Sequence, residues 1–296
     1  MRLRIGTRGS RLALAQAGEV AEALSGRGIE AELVPIVTAG DRGASPESSP
    51  QGVKGLFVAE ITEALHRGDV DLAVHSAKDL PSEDPPGVVV AAVPERAVPF
   101  DVLVSRDEDV PEGGAVGTSS LRRQAQLRRM RPGLQVEDVR GNVDTRLRKM
   151  GEGRYDGLVL AAAGLARLGL DVEHVAPLPV DDMVPAPGQG ALAVQAREGA
   201  AAADAVAGVD HDRSRVAFEA ERWLVRRLGG GCRLPLGAYA EVRDSGVRLL
   251  GVVIRPDGSD LLWSQVEAAS PEEAADEAAE VLLGAGAAAI LDEVRE

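Results

Sequence analysis

The amino-acid sequence predicts an α/β protein with two similar lobes, a cleft between them and a small α+β domain at its C-terminal end. Short β-like runs alternate with helical periods over the first two thirds of the chain, which is typical of largely parallel sheets. This alternation occurs in two rounds, separated by a Pro-rich stretch at residues 81–99. In the remaining third, several strands follow one another between two helical segments.

The first round supplies three strands and two helices. Ser10 precedes the first helical segment and is its expected N-cap. Residues 39–55 are polar and are expected to form a long loop. The predicted elements are strand LRIGT, helix SRLALAQAGEVAEALSG, strand EAELVPIV, helix GLFVAEITEALHRG and strand DLAVH.

The second round repeats the pattern in a second lobe. After it, the cluster PAPGQGA marks a boundary, and ALAVQAR behind it has the pattern of a strand that returns to one of the lobes. Ligands of open α/β sheets bind at the carboxyl ends of the strands, so we expect one in the cleft. The predicted elements are strands DVLVS, GAVGT, LQVEDV and DGLVLAA, with helices SSLRRQAQLRRM and NVDTRLRKM.

The C-terminal third begins with a helix whose apolar residues form one face, and three glycines end it. The strands AYAEV, VRLLGVVI and LLWSQVEA and a final Ala- and Glu-rich helix follow. We therefore assign residues 1–94 with 190–210 to lobe 1 and residues 95–189 to lobe 2. Residues 211–296 form a C-terminal domain that carries the cysteine.

Net charge and composition indicate which kinds of ligand the protein can bind. A net charge of −14 and an aromatic content of 2% speak against general nucleic-acid binding. Residues 118–150, however, contain nine basic and three acidic side chains. This segment suggests a site for a small polyanion, and a solvated arginine-rich helix face is the alternative, above all for Arg128, Arg129 and Arg131.

The sequence predicts neither a membrane-spanning segment nor a metal site. No apolar run reaches the ~18 residues needed to span a bilayer, and the N-terminus lacks the apolar core of a signal peptide. We therefore expect a cytoplasmic protein. The four histidines are scattered along the chain, so no metal-ligand cluster is expected.

Cys232 is the only cysteine, so it forms neither an internal disulfide nor a paired-cysteine zinc site. It is either a small buried apolar residue or a reactive group. The three preceding glycines favour the second interpretation, because they allow positive φ angles and place the thiol on an uncrowded loop.

Three motifs can bind anions or stabilise charge. HSAKDLP places Lys78 beside Asp79 at the end of a strand. GTSSLRRQ joins hydroxyl groups and a helix N-terminus to two arginines, which favours carboxylates or phosphates. RGNVDTR places Arg140 and Arg146 within reach of one ligand, and arginine holds carboxylates bidentately. A solvated turn is the alternative for the first motif.

These motifs occur together in the order seen in the porphobilinogen deaminase (hydroxymethylbilane synthase) family, which the chain resembles from about residue 3 to 242. Residues 77, 233 and 234 depart from the family pattern at variable positions. The motifs that carry the resemblance are IGTRGSRLALAQA, HSAKDLP, GTSSLRRQ, RGNVDTR, YDGLVLAAAGLARLG, PAPGQGA and GGGCRLPLGAYA.

The resemblance implies lobes of the periplasmic-binding-protein type and a transferase of tetrapyrrole (heme) biosynthesis. Such an enzyme condenses four porphobilinogen molecules head to tail, releases ammonia at each step and yields hydroxymethylbilane. It also implies a dipyrromethane cofactor attached to Cys232 through a thioether. We expect a monomer without nucleic-acid or membrane partners.

The resemblance assigns a role to each site residue. Asp79 would be catalytic, facing the pyrrole N–H groups and stabilising positive charge as ammonia leaves. Residues expected to bind the cofactor are Cys232, Lys78, Arg122, Arg123, Arg140, Arg146, Ser120 and Thr118. Residues expected to bind the substrate are Arg8, Ser10, Arg140, Arg146, Arg167 and Gln189.

Two other classes of protein agree less well with the sequence than the deaminase family does. A non-catalytic, two-lobed anion receptor would explain the cleft and the arginines, but it would not need Cys232 and would usually carry an export signal. An RNA-binding protein is disfavoured by the net charge and the low aromatic content.

Overall fold

The computed structural model of the chain describes residues 1–38, 52–230 and 234–295. Cys232 and most of the predicted loop at residues 39–55 lie outside the described residues. Two five-stranded sheets and one three-stranded sheet make up the β structure of the described part. The predicted fold class, two similar α/β lobes and a small C-terminal α+β domain, is confirmed.

Lobe 1 begins with parallel strands. β1 pairs in parallel with β2 and β3, and four of the five residues of β3 are buried, as expected for a strand covered on both faces. Ser10 caps α1 as predicted, since its side chain accepts a hydrogen bond from the amide of Ala13 at 3.3 Å. The elements are β1 (Arg2–Arg8), α1 (Arg11–Ser25), β2 (Glu30–Ile36), α2 (Gly52–Arg67), β3 (Leu72–Ser76) and β4 (Val88–Ala92).

Lobe 2 repeats this arrangement. β6 lies between β7 and β8 and is parallel to both, while β5 is antiparallel to its neighbours β8 and β9. The elements are β5 (Asp101–Ser105), β6 (Ala115–Gly117), α3 (Leu121–Met130), β7 (Gln135–Glu137), α4 (Val143–Gly151), β8 (Gly157–Ala161), α5 (Ala162–Arg167) and β9 (Val175–Leu178).

The chain then returns to lobe 1. β10 (Leu192–Arg197) inserts between β3 and β4, antiparallel to both, and α6 (Ala201–Val206) follows. Two segments therefore cross between the lobes, the first crossover at residues 93–100 and the second at 179–191. The return strand was predicted, whereas β4 was missed because prolines surround it. The domain boundaries at residues 94 and 189 stay predictions.

The C-terminal domain packs helices against an antiparallel sheet of β11, β12 and β13. The single final helix predicted from the sequence is two helices, separated near Gly286, whose φ of +100° favours glycine. Among the described helices, none is long and apolar enough to cross a bilayer. The elements are α7 (Asp212–Arg227), β11 (Leu236–Arg243), β12 (Gly246–Ile254), β13 (Leu261–Ala268), α8 (Pro271–Gly284) and α9 (Ala287–Arg295).

A buried ion pair holds both crossovers against the C-terminal domain. Glu221 of α7 is fully buried, and its carboxylate oxygens lie 2.6 and 3.1 Å from the guanidinium nitrogens of Arg96 in the first crossover. The same carboxylate accepts hydrogen bonds from the amides of Gly188 in the second crossover and Ala240 of β11. Since a buried charge must be paired and hydrogen-bonded, this contact fixes where the three units meet.

Replacing this carboxylate with an amide, Glu221→Gln, should lower the free energy of unfolding by about 3–5 kcal/mol, because it leaves Arg96 buried without a counter-charge. The matched control, Glu32→Gln, removes an exposed 2.8 Å pair with Arg2 and should cost at most about 1 kcal/mol. Urea denaturation measures both changes. Equal losses in the two variants would contradict the role given to Glu221.

Candidate active site

A cavity of about 260 Å³ lies between the two lobes. The carboxyl ends of β1, β3 and β8 reach it at Arg8, Ser76 and Ala161. Ser10, at the start of α1, also lines it. The cavity therefore occupies the position expected for the ligand of an α/β sheet, with both lobes contributing to its walls.

The lining of this cavity is strongly cationic. Asp79, which ends a 3-10 turn at Ala77–Asp79 directly after β3, is the one carboxylate among the described residues of the lining. A partly enclosed cleft with this excess of positive charge favours a ligand with several negative groups. The cations of the lining are Arg8, Lys78, Arg123, Arg146 and Arg167.

Lys78 has an altered affinity for its proton. Burial, and then the nearby charge of Arg123, lower the pKa of Lys78 to about 8. Its Nζ lies 3.5 Å from Oε1 of Gln189, at the edge of hydrogen-bond distance. At neutral pH the side chain is still a cation, and an anion bound beside it would stabilise that charge.

Asp101, the first residue of β5, organises two of the predicted arginines. Its carboxylate is fully buried and lies 2.7 Å from both Arg122 Nη2 and Arg123 Nη2. Burial alone would raise the pKa of Asp101, but the two guanidinium groups hold it well below its usual range. Arg123 also reaches the cavity, whereas Arg122 turns away from it and donates to the carbonyl of Val184 at 2.6 Å.

The hydroxyl groups of GTSSLRRQ position α3 instead of lining the cavity. Thr118 is fully buried, and its Oγ1 accepts a hydrogen bond from the amide of Ser120. Ser120 is the N-cap of α3, where its side chain accepts from the amide of Arg123 at 3.5 Å. These residues therefore place Arg123 without lining the cavity themselves.

The two arginines of RGNVDTR have different positions. Arg146 of α4 lines the cavity and donates from Nε to the carbonyl of Gly141 at 2.7 Å. Burial, and then Arg123, lower the pKa of Arg146, as expected where cations face the same space. Arg140 is exposed and lies outside the cavity lining.

Arg167 connects the two lobes at the cavity wall. Its Nε lies 3.1 Å from both carboxylate oxygens of Glu19 on α1, and its Nη2 donates to the carbonyl of Gly190 at 3.1 Å. Groups from α1 and the second crossover thus orient the guanidinium group of Arg167. In this orientation Arg167 still lines the cavity.

Gln189 lies behind the cavity. It is fully buried, and its Nε2 donates to the carbonyl of Pro99 and to Asp101 at 2.7 and 2.8 Å. Its Oε1 accepts from Arg123 at 3.3 Å. The side chain therefore joins the two crossovers and is not in the cavity lining.

The chain on both sides of Cys232 is described, although Cys232 itself is not. Gly229 and Gly230 have φ angles of +86° and +56°, which explains the need for glycine after α7. A Cβ added to Gly230 would lie 2.8 Å from Oγ of Ser82, three residues beyond Asp79. The loop that carries the cysteine therefore leaves α7 next to residues 79–84, which we call the Asp79 segment.

Sequence reasoning missed several residues of the site. Asp101 could have been noticed as an acidic residue that opens the otherwise apolar strand DVLVS. His75 and Asn142 line the cavity and belong to motifs already singled out. Glu19 gave no signal, because a glutamate on an amphipathic helix is usually a solvated residue.

The fold and the cleft define a two-lobed α/β protein with a cationic cavity between its lobes. Residues 3–205 match the "porphobilinogen deaminase, dipyromethane cofactor binding domain", and residues 216–285 match the "porphobilinogen deaminase, C-terminal domain". The chain belongs to the porphobilinogen deaminase family. It is therefore an enzyme of the transferase class, as the sequence motifs predicted.

Curated relatives cover essentially the whole chain. The porphobilinogen deaminase of Rubrobacter xylanophilus is 48% identical, over 99% of this chain and 98% of its own length. Those of Thermus thermophilus and Brevibacillus brevis are 45% and 44% identical, with 98% of this chain covered in each case and 98% and 97% of their own lengths. Among solved structures, an ancestral cationic amino acid solute binding protein is similar at 16% identity and a TM-score of 0.41, covering 70% of this chain and 86% of that chain.

The pKa of Lys78 can be tested directly, because Lys54, Lys78 and Lys149 are the lysines of the chain. With ¹³C-labelled lysine in the Cys232→Ser chain, which cannot carry the expected cofactor, one NMR signal should titrate near pH 8, and adding Lys78→Arg should remove that signal. Raising the pH through 8 removes a positive charge from the cleft, so binding of a dicarboxylate to the Cys232→Ser chain should weaken over this range. In Lys78→Arg this pH dependence should vanish. A Lys78 signal that titrates only near ~10.4 would refute the assignment.

Proposed function

We propose that this chain condenses four porphobilinogen molecules head to tail in tetrapyrrole biosynthesis, releasing ammonia at each step and hydroxymethylbilane at the end. The observation that carries the proposal is the cleft of a porphobilinogen deaminase family member, whose lining combines five cations with the carboxylate of Asp79. The cytoplasmic location and the monomeric state of the protein stay predictions.

The cations suit the charge of the substrate. Porphobilinogen carries an acetate and a propionate group, so each addition brings two more carboxylates into the cleft. Arg8, Arg146 and Arg167 line the cavity and bind these groups, with Ser10 beside them. Arg140, which lies outside the lining, would act on carboxylates that extend beyond the cavity.

Asp79 supplies the negative charge that the reaction needs. Loss of ammonia from the aminomethyl group leaves a methylenepyrrole cation, whose charge is shared with the pyrrole nitrogen. A fixed carboxylate facing that N–H stabilises the developing charge in a partly desolvated cleft. The surrounding cations hold the substrate carboxylates, so Asp79 is left to act on the reacting ring.

The described residues fit a dipyrromethane cofactor. Its carboxylates need cations inside the cleft, and Lys78 and Arg123 meet that need. When bound, the cofactor supplies the free pyrrole position from which the product grows. We assign its thioether to Cys232, because the adjoining Gly230 approaches Ser82 beside the Asp79 segment.

The remaining predicted residues act through their neighbours. Arg122 balances Asp101, Thr118 and Ser120 hold the start of α3, and Gln189 joins the crossovers. These contacts fix Arg123 where it meets the ligand. We therefore propose positioning roles for these four residues in place of direct contact.

The intact mass of the purified chain tests the cofactor. It should exceed the mass of the sequence by two pyrrole units, because the thioether survives denaturation. Cys232→Ser should remain folded, lack this excess and form no tetrapyrrole, whereas the Glu32→Gln control should keep the excess. An unmodified wild-type chain that is fully active would disprove the assignment of Cys232.

Asp79→Asn and Asp79→Glu separate charge from hydrogen bonding. The asparagine variant keeps an acceptor oxygen but loses the charge, so it should raise the barrier by about 2.7–4 kcal/mol, a roughly 10²–10³-fold slower reaction. The glutamate variant should retain measurable activity. Single-turnover consumption of porphobilinogen measures the rate, with substrate binding followed separately.

Substrate should still bind to both Asp79 variants, because its carboxylates are held by the arginines. The control Asp107→Asn alters an exposed carboxylate of lobe 2 and should behave as the wild type. An Asp79→Asn variant as fast as the wild type, or one defective only in binding, would show that Asp79 has another role.

A further inference from the structure

His75 is a buried cavity residue that the reaction described above does not use. It lies in β3, four residues before Asp79, and lines the cavity while being only 6% exposed. Its Nε2 is buried and has no hydrogen-bond partner in the described structure. Buried polar atoms are rarely left unpaired, because they lose their hydrogen bonds to water, and a ligand in the cavity can supply the missing partner.

The surroundings of His75 indicate which partner is missing. Burial, and then the nearby charge of Arg8, lower the pKa of His75 to about 4, so the imidazole is neutral at physiological pH. A neutral imidazole has one N–H donor and one acceptor nitrogen. Arg8 attracts a carboxylate to this part of the cavity, and a carboxylate accepts hydrogen bonds.

We infer that His75, in its Nε2–H form, donates a hydrogen bond to a pyrrole carboxylate that Arg8 also binds. This inference rests on the proposed function, since that function supplies the carboxylate-bearing pyrrole. It adds His75 to the substrate-binding residues of the cleft as a neutral donor.

A neutral donor is physically useful at this position. The lining already carries five cations, and a sixth would increase their mutual repulsion when the cleft holds no ligand. Neutral His75 recognises the carboxylate without adding charge. Two alternatives fit less well: a purely structural histidine would have its buried nitrogen paired, and a general base would need a higher pKa.

The test uses the pyrrole acetate-propionate that lacks the aminomethyl group, because this analogue cannot lose ammonia. His75→Leu should bind it roughly 10- to 100-fold more weakly than the wild type, the loss expected for one hydrogen bond to a charged group. His75→Gln, which keeps an N–H donor, should recover part of the affinity. His66→Leu, at an exposed position on α2, is the matched control and should bind normally.

A second measurement does not depend on how a variant folds. In wild-type protein with ¹⁵N-labelled histidine, the Nε2 signal of His75 should shift when the analogue saturates the cleft, and the signals of the other three histidines should shift less.

Two further analogues, one that keeps only the acetate and one that keeps only the propionate, identify the carboxylate that His75 binds. His75→Leu should weaken binding of the analogue that keeps this carboxylate and leave binding of the other unchanged.

The outcomes distinguish this inference from the proposed function. A wild-type chain that binds the analogue and forms tetrapyrrole, with an unshifted His75 signal and unchanged affinity in His75→Leu, would overturn the role of His75 alone. A wild-type chain that neither binds the analogue nor forms tetrapyrrole would overturn both.

Discussion

The buried carboxylate of Asp101 is the contact on which the site depends. It lies where the first crossover enters lobe 2, and it pairs with two consecutive arginines of α3 and with the amide of Gln189 in the second crossover. Two adjacent guanidinium groups could not be buried together without such a counter-charge. One carboxylate therefore fixes a helix, both crossovers and the cavity wall at Arg123.

The cations of this protein are divided by what balances them. Arg122 pairs with Asp101 through Nη2 and donates to the carbonyl of Val184 through Nη1, so it supports structure. Arg167 is partly balanced by Glu19, which fixes its direction. The pKa values of Lys78 and Arg146 are lowered by burial and then by the charge of Arg123. Cations of this last kind, Lys78 and Arg146, gain most from an incoming anion, as the proposed carboxylate ligand requires.

The C-terminal domain is connected to the residues that follow Asp79 as well as to the crossovers. Arg222 of α7 pairs with Asp84 at 2.9 Å and donates to the carbonyl of Pro81, while Arg226 donates to the carbonyl of Ser82. These contacts hold the segment after Asp79 against the helix that leads to the cysteine loop. The segment after Asp79 and the helix that precedes the cysteine loop, distant in sequence, are therefore held by one interface.

The sequence alone determined the two-lobed α/β pattern, the return strand, the Ser10 cap and the motifs that supply Asp79, Lys78 and Cys232. These features follow from periodicity, glycine placement and local residue order, which act over a few residues. Only the tertiary structure decided that Arg122 and Gln189 are buried, that Arg140 lies outside the cavity, and that His75 faces it without a partner. The physical reason is that a side chain's charge state and direction depend on partners such as Asp101 and Glu19, which folding brings in from distant parts of the chain.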